Sequence, residues 1–222
     1  MASQFLLGGG TSFIALSPKG LPAGPLNRLQ PAHSISKIFA HEMDTGFATF
    51  LGDPCSNPIS FQILTSSGEA ASSPKVVVQN KMSCFQYFGA AYNPLLKEYL
   101  LLIGGKPVTS LLRQLLAYRV NSQGNVIGTP HPVALIDQSS TPFAVFVGNH
   151  YLLVYGKNNV FIKELDSTAH AKGRAVQLNN SAGTFYDMRI LFSSQSSRAL
   201  VIWHKFTNPQ EDDVNGRIVE FE

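Results

Sequence analysis

The sequence is poor in charge: only 14% of its 222 residues are Asp, Glu, Lys or Arg, and they sum to +3 at neutral pH. The basic residues stand singly, with no run dense enough to follow a phosphate backbone, so nucleic acid is not expected as a partner. Cysteine is scarce too. Cys55 and Cys84 are the only two, too few for a disulfide framework and too far apart for a zinc knuckle, and two buried thiols are the expected state. No apolar run approaches the ~18 residues of a membrane-spanning helix, so no membrane span is expected. The opening MASQFLLGGGTSF has no basic start and only a short apolar patch, which is not the layout of a secretion signal. A soluble chain follows from these absences, intracellular as it stands or extracellular if it is a fragment of a longer secreted protein.

What is present points to strands. The chain is 44% hydrophobic, enough for a real core, and its 18 glycines, 13 prolines and 10% aromatics favour many short strands joined by turns. The expected class is all-β.

Self-similarity sharpens that expectation. Four segments align without gaps: TSFIALSPKG ending at Gly20, ISFQILTSSG ending at Gly68, LLAYRVNSQG ending at Gly124 and VFIKELDSTA ending at Ala169. Each carries an apolar residue four places before its end (Leu16, Leu64, Val120, Leu165), and three of the four close on glycine, as a turn with positive φ prefers. The spacings are 48, 56 and 45 residues, and GRIVEF at 216–221 begins a fifth copy. GFATFLG, EYLLLIGG, HYLLVYGK and RALVIWHK precede the later anchors, with QFLLGGG before the first. Ahead of those lie SISKIFAH, QYFGAAYN, PFAVFVGN and DMRILFSS, and behind each complete anchor an edge-like strand, PLNRLQ, KVVVQN, HPVALI or RAVQLN.

Each unit therefore reads as strand 1, strand 2, strand 3, turn, strand 4. Strands 1 and 2 are apolar almost throughout, as inner strands covered on both faces must be, and strand 4 is more polar, as an outer edge should be. The stretch LLRQLLAYRV (111–120) has helical propensity, which its alignment with the other third strands outweighs. Four antiparallel strands per unit predict the blades of a β-propeller, a single domain over 1–222 with about five blades near 1–30, 34–80, 85–136, 142–179 and 185–222. The first unit lacks strand 1 and the last lacks strand 4, so the ring reads as incomplete at both ends. Strands supplied by another chain would then make a homodimer by strand completion.

The runs AAYNPLLKEYLLLI and LLAYRVNSQGNVIGTPHPVA, between residues 90 and 134, resemble the propeller repeat of many large extracellular and surface proteins. There an Ala-Tyr-Asn end to strand 1, a Glu-Tyr-Leu opening to strand 2 and a Val-Asn-x-x-Gly turn recur. The resemblance is clear in one unit and partial in the others. It implies the propeller fold and the binding of other macromolecules. Kelch is a weaker relation: GGG at 8–10 and Gly104–Gly105 end strand 2 like a kelch double glycine, but the expected later Trp is missing and Trp203 sits in strand 2.

Reaction chemistry is hard to assemble. EDDVNGRIVEFE fits an EF-hand loop at Glu211, Asp213, Asn215, Gly216, Ile218 and Glu222, yet Glu stands where Asp is normal and no entry helix precedes it, so a hairpin turning at Asn215–Gly216 is expected instead. GGKPVTS (104–110) lacks the first glycine of a phosphate loop and has Pro107 after Lys106, so it reads as a hairpin loop. A propeller hydrolase needs convergent carboxylates, whereas the ends of the first strands carry His41, Asn93, Asn149 and Ser193. Asp44, Asp53 and Asp137 fall in loops, and Asp187 begins a first strand. No nucleophile elbow and no His-Glu-x-x-His helix appears. No catalytic residues, metal site or cofactor are expected.

The resulting expectation is a non-catalytic scaffold that binds a protein partner through its loops, with His41, Asn93, Asn149 and Ser193 as candidate binding residues. The alternative is a carbohydrate-directed propeller, either a lectin or a glycoside hydrolase. Asn179, in Asn-Asn-Ser just after a fourth strand, is a candidate glycosylation acceptor.

Overall fold

The computed structural model describes residues 5–9, 12–16, 27–28, 37–43, 46–52, 58–79, 82–107, 112–137, 141–193, 195–208 and 211–221, with side chains from Gly46 onward except those of 82–87, 107, 186, 207–208 and 211–212. Every regular element among them is a strand. They fall into five antiparallel sheets, and the chain divides into two compact units, one of residues 1–81 with the turn Ser122–Asn125, the other of 82–121 with 126–222. No helix among the described residues is long and apolar enough to cross a membrane.

The first unit holds two sheets. β1 (Phe5–Gly9), β2 (Ser12–Leu16) and β3 (Asn27–Arg28) form one; β4 (Lys37–Met43), β5 (Gly46–Gly52), β6 (Ile59–Thr65) and β7 (Lys75–Val78) form the other, each strand beside the next. β5 is buried at every position, and the rings of Phe50 and Phe61 meet edge to face at 5.4 Å. Here the turn Ser122–Asn125 packs on Phe61, and Gly124 is required twice over. Its φ is +73°, and a Cβ there would lie 2.6 Å from the Phe61 ring.

The second unit holds three sheets. They are β8 (Met82–Asn93), β9 (Glu98–Pro107), β10 (Gln114–Asn121) and β11 (Val126–Leu135); β12 (Phe143–Val147), β13 (His150–Gly156), β14 (Val160–Asp166) and β15 (Val176–Gln177); and β16 (Thr184–Ser193), β17 (Arg198–Asn208) and β18 (Glu211–Glu220). Successive side chains of a strand face opposite ways, and β13 shows the result. Its Tyr151, Leu153 and Tyr155 join a core with Leu100, Leu102, Leu115 and Ala117 of the preceding sheet. Its Leu152 and Val154 join another with Met188, Ile190, Ala199, Val201 and Trp203 of the following one. Burying each such aliphatic side chain contributes about 1.5–3 kcal/mol. At Gly89 the inner strand β8 comes so close to the neighbouring sheet that a Cβ would sit 2.6 Å from the carbonyl oxygen of Pro142.

The repeat is visible in the backbone. Leu64, Val120 and Leu165 are fully buried, and the residues that close their turns, Gly68, Gly124 and Ala169, have φ of 88°, 73° and 70°. Ala169 thus holds the left-handed conformation without being glycine. Gly20 lies outside the described residues. Residues 114–121 are strand, so pairing with β9 and β11 overrides their helical propensity. The edge strand β11 is mostly exposed or half-buried, as expected.

Three expectations need correction. First strands are not all covered on both faces: β12 mixes buried and half-buried positions, whereas the second strands β5 and β13 are buried almost throughout and β17 is not. Asn215 and Gly216 do not turn. They lie inside β18, opposite Trp203 and Ile202, and the connection falls between Asn208 and Glu211, because the nine residues Arg198 to Phe206 of β17 keep one register with β18. That extended backbone also removes the curled loop an EF-hand needs. Finally, Gly104–Pro107 belong to β9 and not to a loop.

Candidate functional site

One end of the second unit carries a group of bonded polar side chains, Asn93, Glu98, Arg119, Asp166 and His170 among them. It is the end where first strands turn into second strands, and where the anchor turn at 166–170 joins β14 to β15. Asn93 closes β8. Its side-chain oxygen accepts hydrogen bonds from the amides of Leu95 and Leu96 at 3.0 and 3.2 Å, and its amide donates to the carbonyl of Ser167 in the next sheet at 3.2 Å. It is fully buried. Asn93 also bonds the Tyr151 hydroxyl, whose pKa burial pushes up to about 12 against the lowering effect of that bond. Beside them Arg119 grips Glu98 through Nη2 at 2.7 Å and Nε at 2.9 Å, with both side chains largely covered.

The anchor turn at 166–170 is tied by one carboxylate. Asp166 Oδ1 accepts from the Thr168 amide and hydroxyl and from the His170 amide at 2.8, 2.7 and 2.9 Å. Its pKa is lowered: partial burial works the other way, and these donors outweigh it. Thr65 does the same work in the first unit, accepting from the Glu69 amide at 3.0 Å. Above this turn the rings of His131 and His170 stack, centroids 4.3 Å apart and 8° from parallel. His131 Nε2 lies 3.0 Å from the carbonyl of Ala169, an acceptor to which that nitrogen donates.

His150 opens β13. Its Nδ1 faces the Asn149 side-chain oxygen at 3.2 Å, and its Nε2 is buried with no partner. Burial lowers its pKa, Lys172 adds to the lowering, and Glu164 opposes it. Glu164 and Lys172 pair at 3.6 Å on the exposed surface.

The four predicted binding residues meet different fates. Asn93 is built into the fold. Asn149 is exposed in the β12–β13 turn, and Ser193 is exposed at the end of β16, paired with Arg198. His41 pairs with Ala48 in β4, and its side chain lies outside the described residues, as do Asp44, Asp53, Cys55 and the side chain of Cys84. Asp137 accepts from the Asn158 amide. Asp187 is exposed at a bulge of β16 with φ of 49°, within the strand and not at its start. Asn179 is half-buried: its side-chain oxygen accepts from the Val160 amide at 2.7 Å and its amide donates to the Ser181 carbonyl at 2.6 Å.

Chemically this end offers amides, imidazoles, a phenol and paired ions. Glu98, Glu164 and Asp166 are each engaged by a partner, and among the described residues no three His, Cys, Asp or Glu converge as a metal site. Sequence reasoning missed the Glu98–Arg119 pair and the stacked imidazoles. The first could have been found by pairing EYLLLI with LLAYRVN, since Asn121 opposite Glu98 puts Arg119 on the diagonal. The second joins two sheets and leaves no local signal.

No family model and no curated protein matches the chain. Solved structures do. An endo-arabinase from Bacteroides thetaiotaomicron is similar over 100% of this chain and 94% of its own, with a TM-score of 0.60 and 11% identity. A thermostable family-43 glycoside hydrolase is similar over 100% and 90%, with a TM-score of 0.58 and 10% identity. Sqt1 of Saccharomyces cerevisiae is similar over 100% of this chain and 59% of its own, with a TM-score of 0.53 and 10% identity. At such identities the likeness carries the fold alone: the chain is an all-β protein of the β-propeller class.

Proposed function

We propose that this chain is a carbohydrate-directed β-propeller that binds its ligand at the turn-bearing end described above and does not hydrolyse it there. The reading rests on one observation: that end concentrates planar hydrogen-bonding groups while each of its carboxylates is engaged. Sugars are recognised by such planar amide, imidazole and guanidinium groups beside ring faces, and hydrolysis needs a free carboxylate pair. The glycoside hydrolases of similar fold supply the ligand class. Asn149 and His170 are the proposed contacts, with Asn93, Glu98 and Arg119 positioning the turns. The whole chain is taken as a single propeller domain with about five blades.

Calorimetric titration with arabino- and xylo-oligosaccharides tests this. The expected outcome is binding weakened about tenfold by Asn149→Ala or His170→Ala, a loss of about 1.4 kcal/mol, with no reducing sugar released from arabinan or xylan. Release of sugar would convert the reading to hydrolysis. Absence of binding across a glycan panel would remove carbohydrate altogether.

A second reading has its own observation. Leu95 and Leu96 at the tip of the β8–β9 turn are 62% and 41% exposed, an apolar pair on a loop that suits a protein partner. This is the non-catalytic scaffold of the surface-protein repeats that residues 90–134 resemble.

A further inference from the structure

The joint between β11 and the turn at 166–170 has an equivalent within the first unit, and the two are made of different chemistry. There Lys75 of β7 reaches the turn Ser122–Asn125, its Nζ donating to the Asn125 side-chain oxygen and to the Gln123 carbonyl at 3.4 Å. In the second unit β11 meets its turn through imidazoles: His131 Nε2 donates to the Ala169 carbonyl at 3.0 Å, and the His131 ring lies on the His170 ring. Asn125 and His170 are equivalent, each following the residue of positive φ, Gly124 or Ala169. A permanent cation makes one joint and two titratable rings make the other. The turn itself does not require the rings. Thr65 N donates to the Glu69 carbonyl at 2.8 Å just as Asp166 N donates to the His170 carbonyl at 2.7 Å.

Histidine is the side chain whose charge changes between about pH 5 and 8. With ring centroids 4.3 Å apart, two imidazolium charges would repel at the spacing of a close ion pair. One of them is compensated, because Asp166 Oδ1 lies 4.0 Å from His170 Nδ1. The Asp166 carboxyl, with its lowered pKa, stays ionised across that range. The second charge finds no such partner. Glu164 is engaged by Lys172 and Glu98 by Arg119, and β11 holds no titratable residue besides His131, which stands opposite Ala117 of β10. From β14 Lys163 adds positive charge, donating to the Val133 carbonyl of β11 at 2.8 Å, and on β13 the residue opposite Asp166 is His150. The pair therefore tolerates one proton and parts on the second.

We infer that the His131–His170 stack is a pH-sensitive clasp on the ligand-binding end, closed near neutral pH and opened by a second proton, so that ligand is held at neutral pH and released in acid. The ligand is that of the carbohydrate reading, on which the gating role rests; the clasp itself rests on the two rings and their turn. Opening reaches the binding end by two routes. His170 is a proposed contact, and Ser167 of the same turn accepts from the buried Asn93 amide at 3.2 Å, whose side-chain oxygen orders the turn at Leu95 and Leu96.

Hydrogen exchange of the full chain at about pH 7.5 and 5, corrected for intrinsic rates, reads the clasp without any ligand. The amides of Asp166, Ala169 and His170 are bonded within the turn. In the wild type they are expected to exchange about tenfold faster at the lower pH. His131→Phe keeps a ring on His170 that takes no proton, and the change should fall below about twofold. Should that variant fail to fold, His170→Gln at the more exposed position removes the other charge and should give the same result. Titration with arabino-oligosaccharides at both pH values reads the gate: binding should weaken about tenfold in acid for the wild type and less than about twofold for His131→Phe. Turn protection that does not change with pH overturns the inference, as does a change that His131→Phe retains or ligand binding of equal strength at both values. Absence of binding at both values removes the carbohydrate reading instead, and the clasp is then decided by exchange alone.

Discussion

Sheets β12–β15 and β16–β18 are built on one pattern and live in different surroundings. Leu152 and Leu200 occupy the same place in their strands; the first is fully buried and the second is open. Likewise Asn93 and Ser193 end first strands and Asn149 lies in the turn just after one, yet only Asn93 is buried and bonded across to the next sheet. A repeat therefore specifies where a side chain points. What meets it depends on the neighbouring sheet.

Substitution can break that contrast. Leu152→Ala is expected to destabilise by about 3–4 kcal/mol, transfer and cavity terms together, and Leu200→Ala by less than about 1 kcal/mol. Denaturant melts of both variants under the same conditions check the pair, and equal losses would mean the open face is covered. Asn93→Ala should cost about 2 kcal/mol, because the amides of Leu95 and Leu96 and the Ser167 carbonyl all lose a partner. Asn149→Ala and Ser193→Ala should stay within about 0.5 kcal/mol. Tyr151→Phe removes one hydrogen bond to Asn93 and should cost about 1 kcal/mol.

The smallest effect is the pH dependence at the start of the second strands, where His150 aligns with Arg198. The His150 pKa is lowered in the folded state, so the unfolded chain binds the proton more readily. Its contribution is present above the ordinary histidine value near 6.5 and is lost as pH falls through the folded value. His150→Gln should flatten the melting temperature between about pH 7 and 5 relative to wild type. A steeper profile in the variant would contradict the assignment.

Much of the fold was legible because the repeat signals are local. An apolar residue four places before a positive-φ position marks the anchor turn, and it holds even at Ala169, where the residue type argues against it. Local signals also misled. Asn-Gly is a strong hairpin sign, but at Asn215–Gly216 the register of β17 with β18 is continuous and the turn lies five or six residues earlier. The site was less legible than the fold, for a physical reason. Asn93 was chosen as a polar strand end, and nothing in QYFGAAYN reveals that a carbonyl from residue 167 completes its bonding. The same applies to His131 with His170 and to Arg217 Nη1 with the Leu178 carbonyl at 3.0 Å, contacts between sheets that only packing creates.

The strand β13, enclosed on both faces from Tyr151 to Gly156, has a kinetic counterpart. Its central amides can reach solvent only when the sheets on either side separate, so the hydrogen-exchange rates of Leu152–Val154 report the opening of the whole three-sheet unit. The edge strand β15, two residues long and exposed, would exchange long before it. A deuterium time course would then order the strands by distance from β13, and the unit would unravel from its rims inward.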